Sequence, residues 1–283
     1  MRVIRRQLLT TAVAALSACS AMPPGQTLEL GAQRLSYTRA GPVGRSPVVV
    51  FQSGLGDGKS VWADVIGRVA PEMAVFAYDR PGYGQSGNVP VAAAAPPRDP
   101  CTTARELHAL LRATGVRPPY VLVGHSIGGL YQYAFARLFP GEVAAVLLLD
   151  PTHPEHWARM QREAPAAARL VGGLRATVFA PAMQAEFDAQ ARPECLAELR
   201  AAAPPAVPVR LLVRSSFGLG EGEAFQDLAR RLEAQWPALL PGATRRQVER
   251  SGHYIQKDRP DVVAEELRAL VKATAAGPAA AAP

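Results

Sequence analysis

Short apolar runs alternate with segments of helical spacing along most of this chain. Pro47 to Gln52, Met73 to Tyr78, Tyr120 to Val123, Val143 to Leu149 and Val207 to Val213 are runs of mostly bulky residues, the pattern of strands buried on both faces. Between them apolar residues recur every three or four positions. Trp62, Val65, Ile66 and Val69 mark a helix over 60–69, and Ala104, Leu107, Leu110 and Leu111 mark another from Thr102 to Ala113. Leu130, Tyr133, Ala134 and Leu138 mark a third, which stops at Pro140-Gly141. At the front, Leu28 to Leu30 and Gln33 to Thr38 read as a hairpin turning at Gly31. At the back, a helix from about Glu223 to Trp236, a strand from Thr244 to Glu249 and a helix from Asp261 to Lys272 complete the series.

Alternation of this kind predicts an α/β fold with a mostly parallel, doubly wound sheet of about eight strands, whose sites gather at the carboxyl ends of the strands. Residues 153–206 break the alternation, being Ala-rich with several prolines, and read as a small helical lid inserted after the sixth strand. The core is then 28–152 together with 207–273. Residues 88–100 are expected to be an irregular loop and the Ala/Pro/Gly tail, 274–283, to be disordered. No internal repeat is present.

The chemistry concentrates at Val121 to Leu130. Gly124, Ser126 and Gly128 form G-x-S-x-G between a buried strand and a helical pattern, a turn so tight that side chains at the flanking positions would strike neighbouring backbone. Such a turn strains the serine and presents its Oγ at the sheet's top, with the helix's unpaired N–H groups facing any charge that develops there. A bare G-x-S-x-G also occurs as an ordinary glycine-rich turn, so its partners decide its meaning. G-H-S-I-G-G at 124–129, Y-D-R-P-G-Y-G-Q-S at 78–86 and S-G-H-Y at 251–254 together resemble the α/β-hydrolase superfamily, in its serine esterase and lipase-like branch, over about 34–272.

That resemblance implies a catalytic triad and an oxyanion hole. Ser126 is the expected nucleophile, and His253, in a turn after the last strand, the base that activates it. The oxyanion donors are the backbone N–H groups of Ile127 and of Leu55, the latter in the loop Ser53-Gly54-Leu55-Gly56-Asp57-Gly58, where the family's commonest form begins His-Gly. The usual acid position, the loop after the strand at 207–213, holds no Asp and only Glu221 and Glu223. Asp150 ends the preceding strand, and some families of this fold keep the acid there. Asp150 is therefore the expected acid, with Glu221 or Glu223 as alternatives. Asp79 and Arg80 are expected to brace loops near the site, and His108 to be a boundary histidine. Trp157, Met160, Phe179, Met183 and Phe187 either line an acyl pocket or hold the lid to the core.

The expected activity is cleavage of a small-molecule carboxylic ester through an acyl-enzyme. Lactone or C–C bond hydrolysis, perhydrolysis, or a non-catalytic binding role on the same fold are the alternatives. No cofactor is implied, and no His/Cys/Asp group has metal-ligand spacing.

Composition and charge add location. The 283 residues are 48% apolar with a net charge of +7, of which Arg2, Arg5 and Arg6 carry three; the remaining arginines are scattered among acids, which gives no case for nucleic acid. A basic start and an apolar run from Leu8 to Ala18, too short to span a bilayer, mark 1–18 as a signal peptide. Leu16-Ser17-Ala18-Cys19 resembles a bacterial lipobox, and Arg5-Arg6 a loose twin-arginine signal. Export, lipidation at Cys19, a tether over 19–27 and membrane attachment through the lipid in the periplasm are expected; the alternative is a plain secretory peptide cut between Ala18 and Ala21. Cys101 and Cys195 then remain as an even pair, suited to a disulfide that pins the lid. Oligomeric state is left open.

Overall fold

In the computed structural model the described residues are 21–87, 97–218 and 220–275. The expected signal peptide with Cys19, most of the 88–100 loop and the tail beyond residue 275 lie outside them. The described chain forms β1 (Gln26–Leu30), β2 (Gln33–Ala40), β3 (Val48–Gln52), α1 (Ala63–Val69), β4 (Val75–Tyr78), α2 (Pro100–Ala113), β5 (Tyr120–His125), α3 (Ile127–Leu138) and β6 (Val143–Leu149). Four helices follow: α4 (His156–Glu163), α5 (Pro165–Thr177), α6 (Pro181–Ala189) and α7 (Pro193–Ala201). Then come β7 (Val209–Arg214), α8 (Glu223–Glu233), α9 (Trp236–Leu239), β8 (Ala243–Val248), α10 (Ile255–Asp258) and α11 (Pro260–Ala275).

Several boundaries differ from expectation, each for a local reason. Gln26 and Thr27 pair with Tyr37 and Ser36, so the front hairpin takes up the last two residues of the expected tether. The helix expected from Thr102 starts two residues earlier, because Asp99 caps it by accepting from the Thr102 N–H at 2.8 Å and Pro100 suits the first turn. The helix expected through Trp236 breaks before it. Pro237 lacks an N–H and cannot continue α8, so a separate one-turn α9 begins. α11 includes Thr274 and Ala275, which the tail was expected to contain. α10, of four residues, is too short to show a period and was missed.

The strands form one eight-stranded sheet in the order β1-β2-β4-β3-β5-β6-β7-β8, antiparallel at β1-β2 and β2-β4 and parallel elsewhere. Alternate residues supply the two faces. Val50, Leu122, Val146 and Leu148 pack with α2 and α3 on one side. Val49, Phe51, Val121, Val123, Leu147 and Leu149 pack with α1 and α11 on the other. The predicted stripe of Trp62, Val65, Ile66 and Val69 is fully buried there, although Trp62 lies in a 3-10 turn preceding α1.

α4 to α6 contribute to the cavity at the carboxyl ends of the strands and α7 packs beside α2 and α3, the four being held down at separate points. Met160, Ala164 and Ala168 form a small apolar cluster with Leu228 and Leu232 of α8. Arg137 of α3 donates to the carbonyls of Leu199 at 2.9 Å and Arg200 at 3.3 Å, occupying carbonyls at the end of α7. Cys101 at the start of α2 is bonded to Cys195 in α7, both sulfurs buried and 94 residues apart in sequence. Asp99 lies beside the two cysteines, but the disulfide engages both sulfurs.

A crosslink over so long a loop restricts the unfolded chain strongly. Replacing both Cys101 and Cys195 by Ser is expected to lower unfolding stability by about 2–4 kcal/mol. Denaturant titrations of the wild type with and without reductant, beside the double variant, measure it; the reduced wild type and the variant should then unfold together.

Candidate active site

Close backbone approach makes the elbow between β5 and α3. A Cβ on Gly124 would lie 2.5 Å from the Gly128 carbonyl oxygen, and one on Gly128 would lie 2.4 Å from that of Gln52. A Cβ on Gly129 would lie 2.6 Å from that of Pro151. No side chain fits at any of the three. Ser126, between them, takes φ 55° and ψ −126°, a region costly for a residue with a Cβ. The surroundings hold it there: its N–H donates to Leu149 O at 3.1 Å, and its own carbonyl accepts from Thr152 N at 2.9 Å. Ile127 opens α3 directly after it, so the helix's positive end begins beside the serine.

Asp150 follows β6 and also has positive φ, 43°, fixed by its N–H donating to Leu212 O at 2.8 Å. His253 comes after β8 in a loop tied to the end of β7, where the N–H groups of Ser215 and Ser216 both donate to Ser251 O at 3.1 Å. The two meet across the strand ends. His253 Nδ1 lies 2.5 Å from Asp150 Oδ2, so with its proton on Nδ1 it donates to the carboxylate. Arg214, the last residue of β7, places Nε 2.8 Å from the same oxygen. Burial works to raise the Asp150 pKa. The hydrogen bond from His253, the charge of His253 and that of Arg214 outweigh it, and together they hold the carboxyl below its usual range.

The alternative acids are engaged differently. Glu221 accepts from Arg214 Nη1 at 2.7 Å and from the Gly218 N–H at 2.6 Å, so it reaches Asp150 only through the arginine. Glu223 is exposed at the start of α8. Of the three acids considered from sequence, the structure brings Asp150 to His253.

A cavity of about 230 Å³ opens at this point, lined by Leu55, Ser126, Ile127, Asp150 and His253. Of the five apolar lid residues, Trp157, Met160 and Phe187 line it. Phe179 instead backs Phe187 edge-on at 5.6 Å, and Met183 lies over the oxyanion loop, where a Cβ on Gly56 would be 3.1 Å from its Cε. Both roles left open for these side chains are therefore present, divided among them. Sequence inspection missed the polar lining: Arg214, Glu233, Gln190 and His156. Arg214 alone had a legible signal, as a cation at a strand end beside a loop that lacked its acid.

The other histidines are accounted for by packing. His125, in the elbow, donates from Nε2 to the His253 carbonyl at 2.8 Å, which leaves Nδ1 bare and braces the His253 backbone. Burial, then the charge of His253, lowers its pKa to about 3, so it stays neutral. His153 packs edge-on against Trp236, and burial lowers it to about 4. His156 lines the cavity against Phe225 and is lowered likewise to about 4 by burial. His108 stacks on Phe139 and contacts Glu142, on the far end of α3 from the elbow.

Asp79 and Arg80 hold the loop 53–58, expected to carry the Leu55 donor, at its two ends. Asp79 Oδ1 accepts from the Lys59 N–H at 2.6 Å, and its Oδ2 is 2.6 Å from Lys59 Nζ. Arg80 donates to the Ser53 and Gly54 carbonyls. A larger groove of about 510 Å³, lined by residues including Arg39, Arg45, Val75 and Arg117, lies at the amino ends of the strands, opposite the serine.

Comparison with known proteins identifies the family. Residues 48–266 match the model of a family described as the alpha/beta hydrolase family. The uncharacterized protein YqjL of Bacillus subtilis (strain 168) is 32% identical over 103 residues, 36% of this chain and 39% of that protein. RutD of Escherichia coli O9:H4 (strain HS), which bears the name of a carbamate hydrolase, is 28% identical over 193 residues, 68% of this chain and 66% of RutD. The chain thus spans less than two thirds of these relatives' lengths. A haloalkane dehalogenase loop variant from Bradyrhizobium elkanii superposes with a TM-score of 0.65 at 19% identity, covering 89% of this chain and 97% of that one. A thermophilic esterase from Thermogutta terrifontis superposes with a TM-score of 0.56 at 20% identity, covering 89% and 99%. Likeness at such identity speaks for the fold alone. With most of its length matched by the family model, and with the eight-stranded sheet and flanking helices described above, this chain belongs to the α/β-hydrolase family of hydrolytic enzymes.

Proposed function

We propose that this protein is an exported serine hydrolase that cleaves carboxylic esters through an acyl-enzyme. The observation that carries the reading is the meeting, at one cavity, of a serine in a strained elbow with a histidine bonded to a buried aspartate. Ser126 Oγ adds to the ester carbonyl while His253 Nε2 takes its proton, and the carbonyl oxygen becomes an oxyanion facing the N–H groups of Leu55 and Ile127. Collapse of the adduct expels the alcohol, which receives the proton from His253. Water then attacks the acyl-enzyme with His253 again as base, releasing the acid and restoring the hydroxyl. Asp150 keeps the Nδ1 proton in place and stabilises the imidazolium formed in each half-reaction. The cavity volume and the apolar faces of Trp157, Met160 and Phe187 suit a compact acyl group.

Export and a lipid anchor on Cys19 belong to the same proposal. A basic start, an apolar run ending in Leu16-Ser17-Ala18-Cys19, and a disulfide that an oxidising compartment would preserve support them.

Ser126→Ala is expected to lower kcat/KM for a short-chain p-nitrophenyl ester by about 10⁴-fold or more, with unchanged melting and loss of labelling by a fluorophosphonate. Full turnover by the folded variant would refute the serine mechanism. Asp150→Asn should lower kcat by about 10²–10⁴-fold, because the amide favours the wrong imidazole tautomer, while Glu221→Gln should stay within about tenfold of wild type. A dead Glu221→Gln beside an active Asp150→Asn would move the acid to the loop after β7. For the anchor, labelled fatty acid should appear on the full chain expressed in a bacterial host and vanish in Cys19→Ala; an unlabelled wild type beginning at another residue would exclude it.

A further inference from the structure

A buried cation connects the oxyanion loop to the lid. Arg80 is 2% exposed and makes four hydrogen bonds. Nη1 donates to Ser53 O at 2.6 Å and Nη2 to Gly54 O at 2.7 Å. On its other side, Nε donates to Glu186 Oε1 at 2.8 Å and Nη2 to Oε2 at 3.0 Å, a two-pronged pairing that fixes the plane of the guanidinium. Glu186 is fully buried on α6 of the lid. It also accepts from the Tyr83 hydroxyl at 2.8 Å, and Arg98 Nη2 lies 3.5 Å from its Oε1.

The Gly54 carbonyl and the Leu55 N–H belong to one peptide unit. That unit is planar, so fixing the direction of the C=O fixes the direction of the N–H. A charged donor on the carbonyl oxygen also polarises the unit and strengthens its N–H as a donor. Arg80 therefore sets both the aim and the strength of the Leu55 amide, and Glu186 sets the plane of Arg80.

We propose that Glu186 is a positioning residue for the oxyanion hole, acting through Arg80 and the Gly54–Leu55 peptide, so that seating the lid completes the hole. The proposal rests on the reading of Leu55 as an oxyanion donor. On this basis the lid contributes to the chemical step as well as to the pocket. Loss of Glu186 should weaken binding of the tetrahedral adduct while leaving ground-state ester binding nearly intact, since Glu186 does not line the cavity.

Glu186→Gln keeps the shape and removes the charge. It is expected to lower kcat about 10- to 100-fold with KM within about threefold, and to weaken a trifluoromethyl ketone, whose adduct carries the oxyanion, by a similar factor. Hydrogen exchange in the peptide spanning 53–58 should quicken while β7 and β8 stay protected. Arg80→Lys, which cannot reach both carbonyls and the carboxylate together, should give the same signature should Glu186→Gln fail to fold. Asp188→Asn, on α6 like Glu186, removes an exposed ion pair to Arg175 of α5 and should leave all these readouts unchanged. A folded Glu186→Gln with kcat and ketone affinity within about twofold of wild type, or with KM raised and kcat kept, overturns the proposal. A wild type that neither hydrolyses esters nor binds the ketone would refute the ester-hydrolase reading instead. The exchange experiment then decides the coupling by itself: faster exchange over 53–58 upholds it, and unchanged exchange overturns it.

Discussion

Everything at the top of the sheet depends on how closely the backbone passes itself at the elbow. α3 starts so near the ends of β3 and β6 that residues 124, 128 and 129 have no room for a Cβ. This crowding forces Ser126 into a conformation it would not choose. The strain has a use: it sets the serine at the start of α3 and on the cavity wall, with Ile127 at the helix's positive end beside it. Loosening the contact by even one methyl group would shift Ser126 and the Ile127 N–H together. The glycines are thus packing residues first, and their part in the chemistry follows from the packing.

Around that point the molecule handles charge in two buried networks. One joins His253, Asp150, Arg214 and Glu221, and it places a permanent cation against the carboxylate that faces His253. Burial works to raise the Asp150 pKa, but the hydrogen bond and charge of His253, with the charge of Arg214 added, hold it below its usual range. The other joins Arg80, Glu186, Tyr83 and Arg98, and it reaches from the oxyanion loop to the lid. Neither is a surface ion pair of small value. A charge left alone at either place would be expensive to keep in the fold, so the networks act as locks as well as electrostatic devices. The second network attaches α6 and the Cys101–Cys195 bond attaches α7, whereas α5 turns Leu170 and Leu174 to solvent and packs through Ala168 alone among its deeply buried residues.

What the amino-acid order determined by itself was local. Unbroken apolar runs marked the central parallel strands, and apolar residues every three or four positions marked α1, α2 and α3, because a buried strand or a helix face must be apolar whatever its neighbours are. G-x-S-x-G between such elements marked the elbow, since only glycine tolerates that contact. The position of His253 after the last strand, and of Asp150 at the end of β6, followed from where strands end in a parallel sheet. Element ends were less legible where one residue decides them, as Asp99 does for α2 and Pro237 for α8. What only the tertiary structure decided were relations between residues far apart in the chain. Asp150 rather than Glu221 meets His253 because β6 and β8 flank β7, which brings their following loops together over Arg214. Glu186 meets Arg80 across 106 residues for a similar reason: the lid folds back over the strand ends, and no periodicity records where an inserted segment lands. Spacing along a chain encodes which face a side chain takes, while its partner on that face depends on strand order and on the path of the insertion.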